Sequence, residues 1–178
     1  HAAKLSSYDN MLNIIRYKKG GIYPIGLLQS LNVKYILHSR KGDIPNFNLV
    51  EGPLKMSNFS DYINTDDIDV YIYKNQKYLD RIFLVDSLVL VDNEEIVLHK
   101  ITSDLFNPSK ISYIDINNLD SEQIESIKKI ENSINSSVEL ISWEPNKIVF
   151  ETNFDKPQLL CFSEIFYPGW SIKEKDFD

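Results

Sequence analysis

Histidines and a run of aspartates are the residues of this chain whose types could bind a metal ion. His1, His38 and His99 lie far apart, and none has a second His or Cys at the spacing of ligands on a helix or hairpin. We therefore predict surface or hydrogen-bonded structural roles for His38 and His99, at the ends of predicted strands. The run from Asp66 to Asp69 lacks the glycine turn and terminal glutamate of a calcium loop, which favours a solvated charge run. The sequence therefore predicts no metal site.

Nucleophiles and phosphate-binding loops lack the sequence context that catalysis needs. Ser57, Ser60 and Ser163 have no Gly-x-Ser-x-Gly elbow, and the Lys-Gly-Gly string at residues 19–21 is not a phosphate loop. No pair of carboxylates has a context that singles it out for glycoside hydrolysis. Cys161 lies in an apolar run and is predicted to be a small buried side chain rather than a nucleophile. We predict no catalytic residue, no cofactor and no enzymatic activity in this chain.

The string Tyr167-Pro168-Gly169-Trp170 is the most distinctive in the chain. Pro-Gly directly after a β-rich run predicts a tight turn, which places Trp170 where the chain reverses. Tyr167 and Trp170 are candidate ligand-contact aromatics, because aromatic faces suit the apolar faces of sugar rings. The alternative, which we favour, is that Trp170 covers the end of a sheet.

The composition predicts a folded, acidic domain. The 178 residues are 43% hydrophobic and carry a net charge of −7. No basic stripe is present, which excludes nucleic acid as a partner on electrostatic grounds. A single cysteine excludes an intrachain disulfide. No apolar run reaches the ~20 residues of a spanning helix, and no signal segment is visible, so we expect a fragment excised from a longer protein.

Apolar spacing and turn residues predict short helices and strands through the first two thirds of the chain. Apolar residues spaced by three and four positions predict a helix over residues 5–17. Pro24 is predicted to open a second helix, with Leu27, Leu28 and Leu31 on its buried side. Residues 39–67 are rich in Gly, Pro, Asn and Asp, which predicts a loop with room for one or two short strands. Strands are predicted over residues 33–37, 70–73, 81–91 (one long or two short) and 95–101.

The final third predicts a helix followed by an antiparallel meander. Asp120 and Gln123 form a capping-box pattern at the start of a helix over residues 121–135. One face of that helix is lined by Ile124, Ile127, Ile130 and Ile134. Apolar residues at alternate positions then predict strands over residues 138–143, 147–152 and 158–166.

These elements define an α+β fold class, with mainly antiparallel sheets and two or three helices packed on them. Residues 1–178 are predicted to form a single domain, with a candidate subdivision into 1–118 and 119–178. The strand over 158–166 is long, apolar and free of Pro and Lys, so its edge would offer unpaired backbone groups to another strand. We expect one of three outcomes: neighbours on both sides, pairing across a symmetric homodimer, or coverage by the tail after Trp170.

Several strings occur in one order over nearly the whole chain. They are His1-Ala2-Ala3-Lys4-Leu5 with Tyr8 and Asp9, Leu31-Asn32-Val33-Lys34-Tyr35-Ile36-Leu37, Asn75 with Leu79-Asp80-Arg81-Ile82-Phe83, Pro145-Asn146-Lys147-Ile148, and Tyr167-Pro168-Gly169-Trp170. This ordered set resembles the C-terminal extracytoplasmic region of the YfhO family of bacterial membrane proteins. Asp80 stands where the family has Pro, and the Asp-Gly hairpin that follows the Pro-Gly-Trp turn in the family does not follow here.

The resemblance implies a soluble accessory domain of a polytopic, GT-C-type membrane glycosyltransferase, at the extracytoplasmic face of the bacterial cell membrane. Its implied partners are its own transmembrane region and a cell-envelope glycan or polymer acceptor. The catalytic carboxylate of that class lies in a loop near the first transmembrane helices, so no catalytic residue carries over onto this chain. Two alternatives stay open: an independent carbohydrate-binding or carbohydrate-active surface protein, and a purely structural domain.

Overall fold

The computed structural model describes residues 9–13, 15, 23–56, 68–130, 135–164 and 169–173. Residues 9–13 and 15 are helical, within the helix predicted over 5–17. The helices that follow are α1 (Ile25–Ser30), α2 (Glu94–Ile101) and α3 (Ser121–Ile127), with a short 3-10 helix at Ile116–Asn118. The strands are β1 (Tyr35–His38), β2 (Phe47–Met56), β3 (Ile68–Asn75), β4 (Ile82–Val85), β5 (Ser87–Val91), β6 (Ile111–Asp115), β7 (Ser137–Glu144), β8 (Lys147–Asn153) and β9 (Leu159–Phe162). The fold is α+β with mostly antiparallel sheets, as the sequence predicted.

The first sheet joins β1, β3 and β2 in antiparallel order and packs against α1. Leu28 of α1 forms a buried cluster with Phe47 of β2 and Tyr73 of β3. Leu27 is also buried, which confirms the predicted inner side of this helix, whereas Leu31 is half-buried just after the helix ends. Burying side chains of this size contributes on the order of 2 kcal/mol each, so this cluster holds the sheet and helix together.

β2 is longer than the one or two short strands that the prediction allowed in the loop over residues 39–67, because it is a strand of 10 residues. Gly52 and Pro53 lie within it, where the register with β3 shifts between Glu51 and Leu54. Since β2 is an edge strand, Pro53 removes a hydrogen-bond donor where the sheet tolerates its loss. Gly52 has a φ of 129°, a conformation that favours glycine. The residues that predicted a turn therefore mark a β-bulge.

β5, α2 and β6 form a parallel β-α-β unit, so the strand predicted over residues 95–101 is wrong. Asn93 caps the helix by accepting a hydrogen bond from the backbone N–H of Ile96 at 3.0 Å. Acidic residues in the first turn and basic residues in the last turn complement the helix dipole. His99 consequently lies at an exposed helical position and not at a strand end.

The segment predicted over residues 81–91 is two short strands, β4 and β5, which separate at Asp86 and enter different sheets. β4 pairs antiparallel with β9. The third strand of the predicted meander therefore does not pair with β8, and that part of the prediction is wrong. Ile82 and Val85 of β4 are buried, so β9 joins an apolar strand that is distant in sequence. This pairing crosses the candidate boundary between residues 118 and 119.

The hairpin predicted in the final third is confirmed as β7 and β8, with Pro145 and Asn146 in its turn. Arg81 ties this hairpin to β4 and β9, because its guanidinium lies 4.7 Å from the ring centroid of Trp143 and donates to Glu164 at 3.0 Å. The rings of Phe150 and Phe162 meet edge to face at 5.3 Å, which adds a second contact between β8 and β9.

The capping box predicted for the last helix is present. Asp120 accepts from the backbone N–H of Gln123 at 2.8 Å, and the Gln123 side chain accepts from the backbone N–H of Asp120 at 3.0 Å. The helix is shorter than predicted, since it ends at Ile127. Ile124 and Ile127 are half-buried, so the predicted burial of this stripe is partial. Ile134 lies outside the described residues.

The edge of β9 differs from the expectation of a long strand over residues 158–166. In the part of the chain that the structure describes, β9 has four residues and one strand neighbour, β4. Residues 171–173 of the tail are exposed. Pairing of the other edge across a homodimer stays a prediction.

The hairpin carries a like-charge pair that can be relieved, because Glu139 of β7 lies directly opposite Glu151 of β8 and both are exposed. Glu139→Lys creates an opposite-charge pair and should raise the free energy of unfolding by about 0.5–1 kcal/mol in urea denaturation at low salt. The matched control is Glu144→Lys. Because Glu144 lies opposite Lys147, this substitution creates a like-charge pair and should lower the free energy of unfolding. If both substitutions shift stability in the same direction, cross-strand charge does not determine the effect.

Candidate ligand-binding groove

A groove of about 840 Å³ lies between the first sheet and the β-α-β unit. This volume falls within the range of about 300–1,000 Å³ that is usual for small-molecule sites. Its lining comes from four separate chain segments and is rich in aromatic and amide side chains. The lining residues are Tyr23, Ile25, Gly26, Gln29, Pro45, Asn46, Lys77, Tyr78, Leu79, Asp104, Leu105, Phe106, Asn107 and Ser109.

The first wall is α1 in close contact with the loop that follows α2. A Cβ atom placed on Gly26 would overlap the carbonyl oxygen of Phe106 and lie 2.8 Å from its ring carbon Cδ1. Glycine at this position therefore lets the helix and the loop touch. The Phe106 ring also meets Tyr113 of β6 at a centroid distance of 6.1 Å, which fixes the loop to the parallel sheet.

The second wall, residues 77–79, is held in place by two asparagines. Asn75 is fully buried, donates to the carbonyl oxygen of Val33 at 3.0 Å, and accepts from the backbone N–H of Lys77 at 3.0 Å. Asn32, at a φ of 55°, donates from its side chain to the carbonyl oxygen of Leu79. Asparagine tolerates this left-handed conformation better than most residues, and here its amide also makes the bond that joins α1 to the second wall.

Asn46 lines the groove and has a φ of 63°. Its carbonyl oxygen accepts from the backbone N–H of Gln76 at 2.9 Å. The preceding loop is fixed by Tyr73, whose hydroxyl lies 2.9 Å from both the N–H and the carbonyl oxygen of Gly42. Hydrogen bonds therefore hold this backbone at Asn46 itself and at Gly42 before it.

The groove offers ring surfaces and amides to a ligand. Within the described part of the chain, the side-chain carboxamides of Gln29 and Asn46 have no hydrogen-bond partner. Tyr23 packs one side of its ring toward Phe47 at a centroid distance of 6.4 Å, and Tyr78 has the Lys34 ammonium 4.9 Å from its ring centroid. Leu105 is 93% exposed at the rim. Ring faces can stack on a ligand, and carboxamides can form hydrogen bonds with it.

Groups of three or more His, Cys, Asp or Glu side chains that could hold a metal ion are not found among the described residues. His38 is hydrogen-bonded at the end of β1, with its Nδ1 2.8 Å from the carbonyl oxygen of Arg40, as predicted. Asp69 pairs with Lys55 at 2.7 Å, and Asp66 and Asp67 lie outside the described residues.

Trp170, one of the two predicted candidate aromatics, is not among the described residues that line the groove. Trp170 follows Gly169, whose φ is 112°, which confirms turn geometry before it, and its side chain is 43% exposed. Tyr167 lies outside the described residues. Cys161 is half-buried, and burial raises the pKa of its thiol, an effect that a hydrogen bond with Ser112 offsets only in part. A thiol that stays protonated at neutral pH is a poor nucleophile.

Sequence reasoning missed the groove because its residues come from four segments that no motif connects. The usable signals were local, namely the turn at Asn75-Gln76-Lys77 and the isolated Asn46 in a loop. Gln29 gave no signal, since an amide in a short helix is ordinary.

Comparisons of the chain with protein-family models, with curated proteins and with solved structures gave no match. No helix among the described residues is long and apolar enough to cross a membrane. Two of the strings on which the YfhO resemblance rests do contact each other, because Asn32 bonds Leu79 and Asn75 bonds Val33. The resemblance itself stays a hypothesis.

Gly26→Ala should destabilise the chain by about 3 kcal/mol or more, because the added methyl group meets backbone that cannot move aside cheaply. Gly42→Ala is the matched control, since a Cβ there meets nothing within 4 Å. Urea denaturation of both variants measures the difference. Equal stability of the two variants would contradict the close contact between α1 and the Phe106 loop.

Asn75→Leu should destabilise the chain by roughly 2–4 kcal/mol, because the carbonyl oxygen of Val33 and the N–H of Lys77 lose the fully buried amide that bonds both of them. Gln76→Ala, at the next and exposed position, should change stability by less than about 0.5 kcal/mol. Thermal unfolding monitored by circular dichroism compares the two. A stable Asn75→Leu variant would show that another contact holds residues 77–79.

Proposed function

We propose that this chain is an extracytoplasmic accessory domain of a polytopic membrane glycosyltransferase-like protein. Its groove positions a cell-envelope glycan or polymer acceptor. The observation that carries the proposal is the groove itself, where Tyr23, Tyr78 and Phe106 line the same space as carboxamides at Gln29 and Asn46 that have no partner among the described residues. Ring faces and amides are the groups that bind the two kinds of surface on a sugar, its C–H faces and its hydroxyls.

The walls of the groove support a binding role because they are held by the fold before a ligand arrives. Asn75, Asn32 and Gly26 each fix one segment of the lining to its neighbour. A site whose walls are already ordered loses little conformational entropy on binding. Weak individual contacts to sugar hydroxyls can then add up to useful affinity.

In this proposal the chain binds and does not catalyse. Sugar transfer belongs to the membrane part of the full-length protein, and the location is the extracytoplasmic face of the bacterial cell membrane. The partners are the protein's own transmembrane region, the glycan, and a second copy paired through the edge of β9 that does not face β4. An independent carbohydrate-binding or carbohydrate-active surface protein would use the same groove without a membrane part.

A purely structural domain is the second candidate, and the outer face of β1 favours it. Tyr35 and Leu37 point away from the core residue Ile36, and Leu37 is 61% exposed. Exposed apolar side chains that adjoin one another are typical of a docking face. A structural domain would dock through β1 and would leave the groove empty.

Sedimentation with insoluble bacterial cell-wall polysaccharide tests the proposal. The isolated chain should sediment with the polysaccharide, and Tyr78→Ala should reduce the bound fraction several-fold, because a stacked aromatic ring is lost. Trp170→Ala is the matched aromatic control and should sediment like the parent chain. Circular dichroism shows that each variant is folded.

Two results would contradict the proposal in different ways. Loss of sedimentation with Trp170→Ala and not with Tyr78→Ala would move the ligand site to the Pro-Gly-Trp turn. Absence of sedimentation for the parent chain would favour the structural domain.

A further inference from the structure

The charged side chains among the described residues of the groove lining are few. Lys77 is the basic residue among them and Asp104 the acidic one, and none of them is an arginine. The chain around the groove carries a net charge of −7. Phosphate and carboxylate ligands are held in proteins by clustered cations, above all by the planar fork of arginine. A polyanion would therefore find no cluster of cations among the described residues of the lining to offset the net negative charge of the chain.

Two neutral side chains of the lining, which have both donor and acceptor atoms, are without a hydrogen-bond partner among the described residues. Gln29 and Asn46 each present a carbonyl oxygen and an NH₂ group, and they come from two different segments of the lining, α1 and the loop before β2. A sugar hydroxyl also donates and accepts, so a carboxamide can satisfy it in either sense. The aromatic rings of the lining provide surface for the ring faces of the same ligand.

We infer that the groove selects an uncharged oligosaccharide, with the carboxamides of Gln29 and Asn46 as the residues that bind its hydroxyls. This inference rests on the proposed function, and it specifies which part of an envelope glycan enters the groove. Phosphate-bearing or carboxylate-bearing units of such a polymer stay outside.

The test uses the whole chain and a library of immobilised oligosaccharides that contains neutral members and members with phosphate or carboxylate groups. Neutral members should bind, and their dissociation constants should change less than twofold between low salt and about 0.5 M salt, because no charge pair is screened. The double variant Gln29→Ala with Asn46→Gly should weaken this binding by about tenfold or more, since two hydrogen bonds are lost.

These two substitutions keep the backbone as it is. Alanine suits the helical position of Gln29, and glycine suits the positive φ of Asn46. Asn146→Gly removes an exposed carboxamide in the hairpin turn, outside the groove lining, and is the matched control with parental affinity expected. Thermal unfolding of each variant separates loss of binding from loss of folding.

The outcomes separate this inference from the proposed function. Binding of only the charged members, with affinity that falls as salt rises, overturns the inference and leaves glycan binding intact. Neutral binding that survives in the double variant also overturns it, because the carboxamides then have no role. No binding to any member overturns both the inference and the proposed function.

Discussion

The fold around the groove depends on the burial of Asn75. Its side chain is fully enclosed and bonds Val33 on one side and Lys77 on the other, while its backbone N–H donates to Lys34 at 2.8 Å. A buried amide is costly unless each polar atom has a partner, so these bonds restrict the segment to one arrangement. That arrangement brings the end of β3, the entry to β1 and the second wall of the groove together. The neighbouring Tyr73 extends the same constraint to the loop at Gly42.

Local signals in the sequence predicted much of the fold. The capping box at Asp120, the leucines of α1 and the hairpin with its turn at Pro145 could be predicted because each depends on neighbours in the chain. The errors arose where contacts between residues distant in sequence determine the structure. β9 joins β4 because both strands are apolar, and no pattern within residues 158–166 indicates that partner. Gly52 and Pro53 predicted a loop, whereas an edge strand accepts them in a bulge. Asn93 caps a helix, but the β-branched residues after it favoured the prediction of a strand.

The groove was not predicted at all, because it depends entirely on contacts between residues that are distant in sequence. Gly26, Asn46 and Tyr78 are ordinary residues in sequence, and they come together only where the first sheet and the β-α-β unit meet. The aromatic string at residues 167–170 is compact in sequence, yet Trp170 is not among the described residues that line the groove. Binding sites without a catalytic group leave few marks in a sequence, since stacking and neutral hydrogen bonds can be supplied by many residue types.

The most direct test of the account is to map, by NMR chemical-shift changes in the backbone amides, where a neutral oligosaccharide touches the chain. The account predicts changes that cluster at residues 23–29, 45–46, 77–79 and 104–109, with little change in the β7–β8 hairpin. Changes confined to the region of Trp170 or to the exposed side of β1, or no change at saturating oligosaccharide, would contradict it.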